Sequence, residues 1–220
     1  MTGQVRGLLR GVYAAATVSA LTFLSCSSTR RYIEGLESGD IAARRRAAQH
    51  IQALGPRGHA ALFALMEAAQ DRDAELRRIA IEAIGGMGKK AWKANEVLTR
   101  ALRDSDTHVR RAAVIAMGRL DKFPTSAFPN LIRCLGDPDS LVREFTMNTF
   151  EDLGVTGVGT LVRALGDTNV VVRRSAAMTL GRIGHQARYA TAALKKARED
   201  DDEEVRRRAD EAVQRINGAQ

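Results

Sequence analysis

Arginines and acidic residues that recur at a fixed spacing are the residues of this 220-residue chain best suited to chemistry. An Arg follows an apolar residue at Arg44, Arg77, Arg110, Arg143, Arg173 and Arg206, with spacings of 33, 33, 33, 30 and 33 residues. Four residues earlier stand Asp40, Asp73, Asp106, Asp139, Asn169 and Asp202, and six earlier stand Ser38, Asp71, Asp104, Asp137, Asp167 and Asp200. The chemistry that this pattern favours is helix capping and charge-assisted hydrogen bonding.

These arginines are interpreted as structural. A cation in the first turn of a helix opposes the helix dipole, typically by about 0.3–1 kcal/mol, so six such placements need compensation. One acidic residue can cap the helix, and the other can accept from the guanidinium. We therefore expect the arginines and the aspartates six residues before them to form a structural ladder.

A second column of mostly basic residues directly follows the first and lies off the apolar stripe. Its members are Arg45, Arg78, Arg111, Glu144, Arg174 and Arg207, extended a few turns later by Arg119, Arg182 and Arg215. We expect the arginines of this column to stack into a positive surface for an acidic partner. A solvated polar face that only keeps the protein soluble is the alternative.

No catalytic motif stands out in the sequence. It contains no Gly-x-Ser-x-Gly elbow, His-Glu-x-x-His helix, Cys-x-x-Cys pair or phosphate loop. With two Cys and four His, the chain has too few soft ligands for a structural zinc site. We accordingly expect no catalytic residue, no metal and no cofactor.

The elements that position the charged residues are helices. From Val109, apolar residues follow at offsets 3, 4, 7, 8 and 11, which is the stripe of an amphipathic helix. A Gly closes four of the six units, and a second apolar stretch precedes each acidic turn. Each unit is therefore expected to be two antiparallel helices, and six units predict an all-α solenoid of about six helix pairs.

The segments 137–143 and 167–173, followed by Ala-rich helices such as 174–184, resemble HEAT repeats, in particular the short bacterial type also found in phycobilin lyases. The resemblance covers about residues 32–217 and implies an α-α superhelix. It also implies that the Asp–Arg ladder runs from repeat to repeat and that the second helices line the concave side. The di-iron hydroxylases built on HEAT repeats carry His-Glu pairs, and no His in this chain is followed by Glu.

The fifth unit is irregular because its spacing is three residues shorter. The missing residues fall between Gly154 and Asp167, so the first helix of that unit must be short. Glu144 interrupts the basic column beside it, which predicts a bend or opening at the fourth and fifth repeats, although plain repeat drift would give the same sequence.

The N-terminal segment differs from the repeats. Arg6 and Arg10 precede a stretch without charge, and its apolar part, 11–24, is too short to span a bilayer. It ends in Thr-Phe-Leu-Ser-Cys, which resembles the lipobox of bacterial lipoproteins. We predict a signal peptide at 1–25, lipidation of Cys26, a tether at 26–31 and the array at 32–217; an uncleaved anchor or a buried N-terminal helix is the alternative.

The function expected from these observations is that of a non-catalytic scaffold on the outer side of a bacterial membrane. Its partner would be a protein or an anionic envelope polymer, and the scaffold itself a monomer held by its N-terminal lipid. The formal charge of +8 falls to +6 without the two signal arginines, so the partner should be acidic. A cytoplasmic enzyme similar to the bilin lyases, or an array that binds nucleic acid, is the alternative.

Overall fold

The computed structural model describes residues 29–120 and 123–218, and these residues form helices joined by short turns, with no β-strand among them. The predicted signal peptide and Cys26 lie outside the described residues. The fold class predicted from the periodicity is confirmed: six helix pairs follow one another as an α-α solenoid.

Each repeat contains a first helix, which in most repeats opens with a 3-10 segment. The first helices are α1 (29–36), Gly55–Ala61 with α3 (Leu62–Ala68), Gly88–Ala94 with α5 (Asn95–Ala101), Thr125–Ala127 with α7 (Phe128–Leu135), α9 (Val155–Ala164), and Gly184–Ala190 with α11 (Thr191–Ala197). Helix α1 includes residues 29–31, which the sequence analysis placed in the tether, and Thr29 is already buried within it.

The second helix of each repeat carries the recurring arginines. The second helices are α2 (Ile41–Leu54), α4 (Ala74–Gly86), α6 (Thr107–Gly118), α8 (Ser140–Leu153), α10 (Val170–Ile183) and α12 (Glu203–Gly218). An acidic turn joins them to the first helices. Glycines with φ between 51° and 65° turn the chain between repeats, a conformation that side chains with a Cβ rarely adopt.

The core is one continuous layer between the first and the second helices. It consists mostly of Ala, Leu, Ile and Val, and the largest side chain that it buries completely is Phe150. Phe150 packs on Phe128, with ring centroids 6.2 Å apart. Because each repeat packs on its neighbours, the array buries a continuous core that no single helix pair could form.

The second helices of adjacent repeats lie closer to one another than the first helices do. A Cβ atom on Gly85 of α4 would stand 2.8 Å from the Cβ of Ala116 in α6, and one on Gly181 of α10 would stand 3.0 Å from the Cα of Ala212 in α12. This close spacing places the second helices on the inner, concave side of the array.

The fifth repeat departs from the others as its length predicts. Its first helix is α9 alone, ten residues without a 3-10 segment, whereas the second repeat uses seven residues of each. Helices α8 and α10 also pack less extensively than the other neighbouring second helices. Three missing residues remove almost one helical turn, so the fifth acidic turn meets the fourth repeat in a different register.

Candidate protein-binding surface

The acidic turns cap the second helices through two successive carboxylates. In the second repeat, Asp73 accepts from the backbone N–H of Leu76 at 2.7 Å, which satisfies a free donor of the first turn. Asp71 in turn accepts from the N–H of Asp73 at 2.9 Å. The same pair of contacts recurs in later turns, so backbone N–H groups as well as arginines hold these aspartates in place.

The arginines of the first column bridge adjacent repeats. Arg77 donates through Nε and Nη2 to both carboxylate oxygens of Asp104, at 2.8 and 2.7 Å. Arg110 binds Asp137 and Arg173 binds Asp200 in the same bidentate way, and Arg44 lies 3.2 Å from Asp71.

Each arginine of the first column also fixes its own turn. Arg77 Nη1 donates to the carbonyl oxygen of Asp71, six residues earlier, at 2.9 Å. One guanidinium therefore holds its own turn and the next one, which offsets the unfavourable position near the helix N-terminus.

The ladder is interrupted between the fourth and fifth repeats. Arg143 donates to the carbonyl oxygens of Asp137 and Pro138, but it makes no ion pair with Asp167. Instead the side chain of Asn169 lies against Gly136, where a Cβ would be 2.8 Å from its Nδ2 atom. Arg206 belongs to the last repeat, and its side-chain hydrogen bonds to described residues go to the carbonyl oxygens of its own turn.

The second column is not the bare positive surface that the sequence suggested. Arg45, Arg111 and Arg174 each reach across to the capping carboxylate of the next repeat, with Nε–Oδ1 distances of 2.9, 2.8 and 2.8 Å. Arg111, for example, binds Asp139, which caps α8. Sequence spacing alone did not show that the capping Asp of these repeats also faces the second-column arginine of the repeat before it.

The other members of the second column are paired within their own helix or with α8. Arg78 binds Glu75 and Glu82, Arg207 binds Glu204 and Glu211, and Arg182 binds Glu144 and Glu151. Most arginines of the second column are therefore bound by carboxylates of this chain and do not form an open positive surface.

These ion pairs shift the acidity of the carboxylates. The Arg111 guanidinium, through its hydrogen bonds, holds the pKa of Asp139 well below its usual range, and Arg174 does the same to Asp202. Arg45 lowers the pKa of Asp73. The caps consequently stay ionised near neutral pH, where each attracts both a helix N-terminus and an arginine.

Arg119 and Arg215 differ from the rest of the column. Both side chains are exposed, and neither makes an ion pair or hydrogen bond within residues 29–120 and 123–218. They occupy equivalent positions at the ends of α6 and α12. They are the second-column cations most available to a partner, a distinction that the sequence pattern did not show.

A groove on the concave face places Arg119 beside apolar side chains. It has a volume of about 340 Å³ and lies between α4, α6 and α8. Its apolar lining includes Ile115, Leu141 and Phe145, and the side chain of Leu141 is 44% exposed. His108 and the paired Arg78 also border it. Apolar side chains next to a free cation can bind a segment that offers a carboxylate beside an apolar residue.

Cys134 is buried on the first-helix side and takes no part in this surface. Its sulfur lies 3.5 Å from the carbonyl oxygen of Leu102, and burial raises the pKa of its thiol to about 12. A thiol of this kind is protonated at neutral pH and packs as a small apolar group.

The described residues contain neither a membrane-spanning helix nor a cluster of metal ligands. No helix in this part of the chain is long and apolar enough to cross a membrane. No set of three or more His, Cys, Asp and Glu side chains among the described residues comes together as a metal site.

Comparison with known proteins identifies the repeat type. A family model of HEAT repeats matches residues 62–149 and 129–214. No curated protein matches the chain significantly.

Solved structures match over most of the chain. A designed armadillo repeat protein in complex with the peptide (KR)4 is 19% identical, with a TM-score of 0.57, and the match covers 85% of this chain and 98% of that one. An engineered protein from the Northeast Structural Genomics Consortium is 21% identical, with a TM-score of 0.56, over 86% of this chain and 96% of its own.

A natural protein is also similar. The complex of CpcE and CpcF of phycocyanin lyase from Nostoc sp. PCC7120 contains a chain that is 25% identical, with a TM-score of 0.52, over 82% of this chain and 74% of that one.

Proposed function

The chain belongs to the HEAT-repeat family, and we propose that it is a non-catalytic scaffold that binds an acidic segment of a partner protein in its concave groove. The observation that carries this proposal is the position of Arg119, an exposed cation beside Ile115, Leu141 and Phe145 that makes no ion pair with any residue the structure describes. Helical repeat arrays are suited to protein binding, and one similar designed protein is bound to a peptide, the basic (KR)4, so the likeness supports peptide binding but not the charge of the ligand.

The chemistry of the groove defines the partner. Arg78 and Arg111 also line it, but both are held by carboxylates of this chain, so they contribute less to an incoming anion. Arg119 is free to form a charge-assisted bond, and Leu141 and Phe145 offer apolar area next to it. The segment that fits carries Asp or Glu beside an aliphatic or aromatic residue. Binding does not require a second copy of the scaffold, which we expect to be monomeric.

A peptide selection tests the groove. Peptides of about ten residues displayed as a random library and selected on the full chain should converge on an acidic residue next to an apolar one. For a selected peptide, Arg119→Glu should weaken binding at least tenfold in a fluorescence polarisation titration. Arg215→Glu is the matched control, since Arg215 is also exposed and without a partner among the described residues but lies outside the groove, and it should change affinity less than twofold. Selection of peptides without acidic residues, or equal effects of the two variants, would refute the proposal.

We further propose that the scaffold acts at the bacterial cell envelope, attached by acyl chains on Cys26 after removal of residues 1–25. The support is the uncharged apolar stretch at 11–24 and the lipobox-like sequence that ends at Cys26. An acyl chain anchors a protein by burying methylene groups, each worth about 0.8 kcal/mol. An anionic envelope polymer could then also reach the basic array.

Metabolic labelling with an alkyne fatty acid tests this location. The wild type and Cys134→Ser should both be labelled, because Cys134 is buried in the core, whereas Cys26→Ser should not. If the wild-type protein is instead soluble, unlabelled and full-length, the proposed cleavage before Cys26 and its acylation do not occur.

The second candidate is a cytoplasmic subunit of a lyase-like complex. The observation in its favour is the 25% identity with the phycocyanin lyase structure. It predicts a full-length cytoplasmic product that co-purifies with a second HEAT-repeat chain, and fatty-acid labelling separates it from the first candidate. An array that grips nucleic acid through its concave column is less favoured, because carboxylates of this chain already bind most of those arginines.

A further inference from the structure

One long edge of the array is basic in a way that the two arginine columns do not explain. This loop edge consists of the opening segments of the first helices, 55–61, 88–94, 125–127, 155–160 and 184–190. These segments hold five Lys or Arg residues and no Asp or Glu, whereas the acidic turns lie at the opposite ends of the helices. At the adjoining end of α8, the described residues include two carboxylates, Glu151, which Arg182 binds, and Asp152.

Large aromatic side chains are exposed along the same loop edge. Trp92, Tyr189 and the adjoining Phe63 are 58%, 71% and 61% exposed. Cations accompany them: Lys93 Nζ lies 5.4 Å from the ring centre of Phe63 and 5.7 Å from that of Trp92, and the Arg188 guanidinium lies 4.7 Å from the ring of Tyr189. Amphipathic rings interleaved with Lys and Arg are the combination favoured where a protein meets lipid headgroups.

The chain also enters the array at the loop edge. Helix α1 runs antiparallel to α2, since Gly35 lies against Ala47 and the ring of Tyr32 stacks on His50 at 4.8 Å. Continuing in this direction, residue 29 lies toward the end of α2, beside the segment that begins at Gly55. Cys26 is three residues earlier, and three extended residues span at most about 11 Å. An acyl chain on Cys26 would therefore start close to this edge.

We infer that the loop edge docks on a membrane surface of anionic phospholipid headgroups. Arg57, Lys90 and Lys93 meet the lipid phosphates, and the rings of Trp92 and Tyr189 enter the interface between headgroups and acyl chains. The acidic turns then point away from the bilayer, as their charge requires. This inference adds a second contact to the proposed lipid anchor, but it does not depend on the concave groove.

Trp92 provides a direct test because it is the only tryptophan of the chain. The full chain is isolated from membranes and reconstituted into vesicles of phosphatidylcholine with 30% phosphatidylglycerol, and sedimentation checks that each variant stays with the vesicles. The emission of Trp92 should shift to the blue and be quenched by lipids brominated near the headgroup. Pure phosphatidylcholine should give a much smaller effect, and 0.5 M salt should reduce the effect on anionic vesicles.

The decisive comparison uses two variants with the same change in charge. Arg57→Glu with Lys90→Glu and Lys93→Glu should abolish the quenching while the protein still sediments with the vesicles. Each basic residue near an anionic surface contributes roughly fivefold, so three losses should reduce the docked fraction relative to the free one at least about a hundredfold. Arg103→Glu with Arg133→Glu and Lys196→Glu alters exposed cations away from the loop edge and should leave the quenching intact. Circular dichroism should show both variants to be folded.

Three results would overturn the inference. The first is that, on anionic vesicles, acrylamide still quenches Trp92 and the emission wavelength of Trp92 does not change. Both triple variants could lose quenching equally, which would indicate only a general attraction of net charge. Trp92 could be quenched by a DNA duplex but not by brominated lipid, which would assign the edge to nucleic acid. If Cys26 is not labelled but brominated lipid still quenches Trp92, the lipid anchor is rejected and the docking of the loop edge is not. The two proposals can therefore be tested separately.

Discussion

Arg110 and Arg143 occupy the same position in consecutive repeats but differ in the bridge to the next repeat; Arg110 also donates to the hydroxyl of Thr107 at 3.3 Å. Both donate to two backbone carbonyls of their own turn. Only Arg110 also binds a carboxylate of the next repeat, Asp137, whose side chain is 8% exposed. The pair therefore isolates the contribution of the bridge between repeats from that of the turn.

Arg110→Ala should lower the free energy of unfolding by about 2–3 kcal/mol, because it leaves a buried carboxylate without its charged donor. Arg143→Ala should cost only about 1 kcal/mol, the value of its bonds to neutral carbonyls. Urea denaturation followed by circular dichroism measures both. Equal losses would show that the bridge between repeats adds nothing to the turn contacts.

The carboxylates of the acidic turns should make the protein sensitive to acid. Arginine partners lower the pKa of Asp73, Asp139, Asp200 and Asp202 in the folded state. A carboxylate with a depressed folded pKa contributes stability above its unfolded pKa of about 4, and this contribution is lost as the pH falls further.

The urea midpoint should accordingly be steady above about pH 5 and fall steeply below pH 4. Asp139→Asn should be less stable than the wild type at pH 7, yet lose less on acidification, because one of the titrating groups has been removed. If the urea midpoints of the two proteins fall in parallel as the pH is lowered, protonation of Asp139 does not contribute to the acid sensitivity.

Helix α4 shows how two adjacent glycines can have opposite roles. Gly85 faces α6, where an added Cβ would meet Ala116 at 2.8 Å, whereas a Cβ on Gly86 would have no neighbour within 4 Å. The first glycine permits the close packing of the second helices. The second is a helical residue that gains nothing from lacking a side chain.

Gly86→Ala should raise the free energy of unfolding by about 0.4–1 kcal/mol by reducing the entropy of the unfolded chain. Gly85→Ala should lower it by about 1–3 kcal/mol, since α4 and α6 must move apart to admit the methyl group. Thermal and urea unfolding of the two variants, which differ only in position, measure the packing between these helices. If both variants are more stable than the wild type, α4 and α6 can move apart without lowering the free energy of unfolding.

Across the whole molecule, stability is distributed over contacts between neighbouring repeats. The boundary between the fourth and fifth repeats lacks the Arg143–Asp167 bridge. The ion pairs of Arg182 in α10 with Glu144 and Glu151 in α8 connect the two repeats instead. The array is therefore divided into four regular repeats and a terminal pair.

Hydrogen exchange should reveal this division. Amides of α9 and of the first turn of α10 should exchange faster than those of α5 and the first turn of α6, where the ladder is intact. Mass spectrometry of peptic peptides measures the difference, and Arg182→Ala should increase it. Uniform protection along the array would show that the shortened repeat packs as firmly as the rest.

The sequence by itself determined the fold, because a period of about 33 residues with capped, striped helices can bury its apolar faces only by stacking. It also determined the position of every acidic turn and the short helix of the fifth repeat. These features depend on local propensity and spacing, which a single chain displays directly.

Tertiary structure alone decided which charges are available. Arg111 lies in α6 and Arg119 directly follows that helix, yet Arg111 binds Asp139 of the next repeat, 28 residues away, and Arg119 has no partner among the described residues. The same holds for the loop edge, where Trp92, Lys93 and Phe63 come together from two repeats. The availability of a charge depends on desolvation and on the geometry between repeats, which the curvature of the array sets and the spacing of residues does not.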